Sequence, residues 1–121
     1  MVKKNRKGKE YEDNRLVFEG EYLTGQKNGK GKEYYRDGSL MFEGEYKNGL
    51  KWNGKGYDGK NNIEYELNSG KGYVKEYDYY SKLVFEGEYV NGQKNGICKE
   101  YDFDGCLIFE GEYLNGVKLF K

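Results

Sequence analysis

Eight glutamates of this 121-residue chain flank a glycine in pairs: Glu19/Glu21, Glu43/Glu45, Glu86/Glu88 and Glu110/Glu112. Two carboxylates are the equipment of acid–base chemistry such as glycoside hydrolysis. An active site, however, is not built four times along one chain. Lysines recur at matching distances, so the pairs read as a solvated, charge-compensated face. Cys98 and Cys106 are the only cysteines, and there is no histidine to complete a metal site or to activate a thiol. Both read as free, small, core-like thiols. Three Gly-Lys-Gly segments, Gly29–Gly31, Gly54–Gly56 and Gly70–Gly72, superficially resemble phosphate loops. None has the Gly-x-x-x-x-Gly-Lys-Ser/Thr spacing or opens a helix, so they read as glycines where strands begin. No cofactor, metal or catalytic residue is expected.

Each glutamate pair lies inside one stretch, Phe-Glu-Gly-Glu-Tyr, which occurs at Phe18–Tyr22, Phe42–Tyr46, Phe85–Tyr89 and Phe109–Tyr113. The starts are 24, 43 and 24 residues apart, so the long interval holds a degenerate extra unit. Side chains alternate between the two faces of a strand. Phe18, Gly20 and Tyr22 therefore share one face, and Glu19 and Glu21 the other. A helix would scatter them and would tolerate the glycine poorly.

Between these strands run return strands such as Lys30–Arg36, joined by Asp37-Gly38, which reads as a two-residue type I′ turn. That turn sets Lys32 against Glu43, Lys30 against Glu45, Gly31 against Gly44 and Tyr35 against Leu40. At Asp104-Gly105 the same logic sets Phe103 against Cys106, Lys99 against Glu110 and Cys98 against Gly111. Thr24-Gly25 and Asn28-Gly29 read as marking a loop. In the middle, Leu50–Gly54 has one residue more than Gln26–Gly29, which makes Trp52 an insertion. Ile63–Leu67 stands in for a Phe-Glu-Gly-Glu-Tyr copy with Tyr65 at its glycine, and Tyr80-Ser81 replaces Asp-Gly as a weaker turn.

The units resemble MORN repeats on Phe18, Gly20, Tyr22, Asn28-Gly29, Gly31 and Tyr34 or Tyr35, with Cys98 departing at a glycine position. The resemblance implies an all-β, elongated, single-layer antiparallel β-meander of about five hairpin repeats, without catalytic activity. It also implies protein scaffolding or homodimers, or phosphoinositide contact. The whole of 1–121 is expected to be one array, with units near 7–17, 18–41, 42–62, 63–84, 85–108 and 109–121.

Composition sets limits on function. The chain has 21 basic and 21 acidic residues, 19 Gly and 14 Tyr, and no Ala or Pro. Zero net charge gives no long-range pull on nucleic acid, and none is expected as a partner. Without a long apolar run or a leader, and with two unframed cysteines, a cytoplasmic setting is expected, peripheral to membrane or cytoskeleton at most. The leading expectation is a scaffold or adaptor docking a protein segment on its aromatic face through Tyr22, Tyr35, Tyr46, Trp52, Tyr89, Phe103 and Tyr113. The Phe of each copy is expected to be core instead. The alternatives are a peripheral module for phospholipid headgroups or anionic lipid, and an antitoxin-like inhibitor. A homodimer or a partner contact through the C-terminal sheet edge at Val117, Leu119 and Phe120 is also expected.

Overall fold

The computed structural model describes residues 4–119, and every regular element in them is a strand. In chain order these are β1 (Arg6–Glu12), β2 (Arg15–Leu23), β3 (Gln26–Tyr34), β4 (Leu40–Lys47), β5 (Leu50–Tyr57), β6 (Ile63–Leu67), β7 (Gly72–Tyr77), β8 (Leu83–Val90), β9 (Gln93–Tyr101), β10 (Leu107–Leu114) and β11 (Val117–Lys118). Each pairs antiparallel with its neighbours in sequence except that β6 does not pair with β7, so the ladder is not one continuous sheet. It divides into a six-stranded sheet, β1–β6, and a five-stranded sheet, β7–β11. Phe120 and Lys121, expected at the C-terminal edge, lie outside the described residues, as do the first three residues of the chain.

The glycines form a row across the first sheet: Gly8 pairs with Gly20, Gly20 with Gly31, Gly31 with Gly44 and Gly44 with Gly54. Neighbouring rings lie over this row. A Cβ on Gly31 would meet the Phe18 ring at 2.8 Å and the Tyr46 ring at 2.9 Å. The rings thus cover backbone that no side chain of its own could protect.

The row ends where the sheets part. By pairing, Leu67 stands at the Gly44 position and Val74 at the Gly31 position, and both are buried. Tyr65 therefore takes the place of Phe42, not of a glycine as the sequence reading had it. Two bulky side chains replace two glycines at adjacent steps of the row. β6 and β7 share a single bridge, Asn68 with Lys71, before they separate.

The turns are also reassigned. Asp13-Asn14, Thr24-Gly25, Asn48-Gly49, Ser69-Gly70, Asn91-Gly92 and Asn115-Gly116 all have positive φ at both residues, so these are the type I′ turns. Asn28-Gly29 is not a loop but a bulge inside β3, with Gly29 at φ +99°. At Asp37-Gly38 only Gly38 has positive φ. Tyr35 accepts from the Gly38 N–H at 2.9 Å and donates to the Ser39 carbonyl at 2.9 Å, a three-residue turn with a bulge. The expected register holds from Gly29 to Glu33, but Leu40 then meets Tyr34, not Tyr35. The last hairpin repeats this geometry, so Phe103 lies in the turn and Asp102 bonds Cys106.

Candidate functional site

The aromatic face is a chain of edge-on ring contacts. Phe18 meets Tyr22 at 5.6 Å and Tyr46 at 5.5 Å, and Phe42 meets Tyr46 at 5.6 Å. In the second sheet Phe85 meets Tyr89 at 6.0 Å and Tyr113 at 6.1 Å, and Phe109 meets Tyr113 at 6.1 Å. Each such pair contributes about 0.5–1.5 kcal/mol beyond its buried area. Lysines directly opposite the tyrosines cover the rings from outside. Lys27 Nζ lies 4.1 Å from the Phe18 centroid, Lys51 5.0 Å from Phe42, Lys94 4.3 Å from Phe85 and Lys118 4.2 Å from Phe109.

Glutamates opposite the phenylalanines take the tyrosine hydroxyls: Tyr22 donates to Glu10, Tyr46 to Glu33, and Tyr113 to Glu100 at 3.0 Å. Burial, then these carboxylates, push the Tyr22 and Tyr113 pKa values up to about 12. Burial also raises the carboxyl of Glu76. It works against the Lys51 ammonium, but Glu33, Tyr65 and Glu76 more than offset it, so Lys51 stands above the ordinary lysine value. This lysine and glutamate lining was missed from sequence. Its signal was there: the lysine second in β3, β5, β9 and β11, and the glutamate before Tyr11, Tyr34, Tyr77 and Tyr101.

The expected docking rings divide sharply. Tyr35, Tyr46 and Tyr113 are core, at 1%, 5% and 7% exposure, contrary to the expectation that strand-end rings stay less covered. The lysines and glutamates of adjacent strands close over Tyr46 and Tyr113. Tyr35 also anchors the turn, donating to the Tyr57 carbonyl at 2.6 Å and meeting Tyr77 edge-on at 6.4 Å. Tyr22 and Tyr89 are half-buried and pack against the clusters; Tyr89 touches the cores of both sheets. Phe103 is the exposed one, at 66%. It holds the turn position of Arg36, not of Tyr35.

Trp52 is half-buried at the division between the sheets. Its carbonyl accepts from the Gly70 N–H at 2.7 Å, and Lys47 Nζ lies 4.6 Å from its ring. It is no insertion. Lys51 pairs with Tyr46 as Lys27 does with Tyr22, and Gly54 pairs with Gly44 as Gly31 does with Gly20. The segment from lysine to glycine is therefore one residue shorter in β5 than in β3.

On the opposite, charged face, Lys32 and Glu43 form an ion pair at 3.5 Å. Lys30/Glu45 and Lys99/Glu110 are opposed as expected but are not ion-paired. An open trough of about 1080 Å³ runs over the glycine row between these side chains. Beside the β3–β4 turn is a recess of about 300 Å³ lined by Arg15, Arg36, Asp37, Tyr79, Tyr80 and Ser81. The Tyr79 hydroxyl is buried with no hydrogen-bond partner among the described residues. Cys98 is buried, pairs with Gly111, and its thiol is pushed up by burial; Cys106 is exposed. Both are free. Among the described residues no three His, Cys, Asp or Glu side chains converge to hold a metal, and no helix is long and apolar enough to cross a membrane.

Stacked hairpins with a glycine row under an aromatic ladder define a repeat protein of the β class. Residues 18–40, 42–56 and 85–107 match the MORN repeat, together about half of the chain, and the chain belongs to that family. The unmatched 57–84 contains the parting of the sheets. Comparisons with curated proteins and with solved structures give no match.

Proposed function

We propose that the chain is a non-catalytic scaffold or adaptor that binds another protein. The observation that carries this is the uneven distribution of exposed large apolar side chains. Among the described residues, nine of the twelve lie from Tyr73 onward, including Ile97, Phe103, Leu107 and Ile108. Large exposed apolar patches mark interaction sites. The ladder face has most of its ring area consumed by packing, so docking there is limited to Tyr22, Trp52 and Tyr89 at its margins. Phe103 remains an accessible anchor. The test is affinity capture with the intact chain and with Phe103→Ser, a turn substitution outside the core. A partner held by the intact chain and lost on Phe103→Ser is expected; equal capture by both sinks the role of this surface.

The headgroup reading has one specific support, the recess with Arg15 and Arg36. The trough lysines alternate with glutamates and offer a phosphate little net field. Binding to anionic vesicles that disappears on Arg36→Gln and fades with salt would favour this reading over the protein partner. An antitoxin-like role is a special case of the first reading.

A further inference from the structure

The charged faces of the two sheets differ along one row. In the first sheet Lys30 faces Glu45, and Lys7 faces Glu21. In the second sheet the lysine positions are taken by Tyr73, which faces Glu88, and Ile97, which faces Glu112. Tyr73 is 56% and Ile97 60% exposed. Glu88 and Glu112 are exposed as well, and neither carboxylate has a hydrogen-bond or ion-pair partner among the described residues. Lys71 shares this face, two residues before Tyr73, yet makes no ion pair with Glu88. The companion row, Lys75, Glu86, Lys99 and Glu110, is balanced. Residues 69–121 carry seven basic and nine acidic residues, so this half of a neutral chain is negative.

Resting on the protein-binding reading, we infer that the row Tyr73–Glu88–Ile97–Glu112 receives an extended, cationic segment of a partner protein, with apolar residues three apart in polyproline II conformation. Two features select that occupant. The uncompensated carboxylates call for Lys or Arg, and the two large side chains that alternate with them call for apolar anchors. The spacing does the rest. Tyr73 and Ile97 stand on alternate strands, so their period across the sheet is about 9.6 Å. A polyproline II segment repeats every three residues, about 9.3 Å, and needs no backbone ladder to dock. A β-strand laid along the row repeats its face at about 6.7 Å and falls out of step.

The test uses the full chain and a labelled peptide, four repeats of Leu-Pro-Lys, with Leu-Pro-Glu and Ser-Pro-Lys repeats as controls. Fluorescence anisotropy should show saturable binding of the first peptide, with each control weaker by about tenfold or more. The decisive variant is Tyr73→Lys with Ile97→Lys, which restores the lysines of the first sheet. It should melt no lower than the parent and lose about tenfold or more in affinity. No saturable binding of Leu-Pro-Lys, equal binding of the glutamate peptide, or unchanged binding by the double variant overturns the inference. A captured protein partner that is lost on Phe103→Ser but indifferent to the double lysine variant would leave the broader reading standing and remove only this one.

Discussion

Tyr46 combines four contacts that the sequence spreads over three strands. Its ring touches Phe18 and Phe42, its hydroxyl reaches Glu33, and Lys27 lies 5.7 Å from its centroid. Reading along the chain finds the tyrosine and its face, because alternation is local. What covers it comes from neighbouring strands and is not local, so the sequence alone leaves Tyr46 looking accessible. Tyr46→Ser should therefore cost as much as Phe42→Ser, about 3–5 kcal/mol by the usual cost of removing a buried ring. Urea unfolding of the two variants checks this, and a Tyr46 variant near parental stability would contradict the packing. The same hydroxyls give a pH dependence. Tyr22 and Tyr113 rise, by burial first and their glutamates second, to about 12 in the folded chain. Their contribution is complete below the unfolded value of about 10 and is lost as pH climbs through about 12. Stability measured at rising alkaline pH should fall in that window together with tyrosinate absorbance. A fall complete below pH ~10 would contradict it.

The four longer turns differ informatively. Gly38 and Gly105 occupy the left-handed position of their turns, and Ser81 occupies it at φ +65° in the β7–β8 turn. The substitution was legible in the sequence as a weak turn, and its cause is steric: a Cβ in this region is strained. Ser81→Gly should stabilise the chain by about 1 kcal/mol, set against some gain of freedom in the unfolded state. Thermal melting checks the sign, and a lower melting temperature would mean that Ser81 makes a contact worth more than the strain. Register between β3 and β4 was legible because opposite charges and paired glycines agree on one alignment. Turn type was not, since Asp-Gly serves both a type I′ turn and the glycine of a bulged turn, and only the backbone angles separate them. Trp52 misled for a similar reason. Asn53-Gly54 resembles Asn28-Gly29 in letters, while pairing puts Gly54 in the place of Gly31.

Two sheets do not make two folding units here. Val74 of the second sheet is buried with Phe42, Tyr46, Tyr65 and Leu67 of the first, and Tyr89 packs against both clusters. Backbone bonds cross as well: Gly70 N–H to Trp52 O, Gly92 N–H to Gly70 O at 2.9 Å, and Arg36 N–H to Tyr79 O at 3.0 Å. The irregular middle was legible as a break in the repeat, but not that the break would divide the ladder. That needed the pairing of Leu67 and Val74 with the glycine row. The ends of the array are unequal. β1 presents Arg6, Lys7, Lys9, Glu10 and Glu12, charges that discourage pairing. At the other end β11 pairs only with Tyr113 and Leu114, and Leu119 adds one bond to Glu112. Among the described residues, the outer edge of β10 from Leu107 to Gly111 has no strand beside it, and Leu107 and Ile108 are exposed. An uncovered apolar edge of this length favours antiparallel pairing with a second copy, which would join two five-stranded sheets about a two-fold axis. Light scattering should then give a mass rising toward the dimer with concentration. Ile108→Lys, which adds charge beside the edge without touching the core, should hold it at the monomer. A monomer at every concentration, or a dimer indifferent to Ile108→Lys, would rule out self-association through β10.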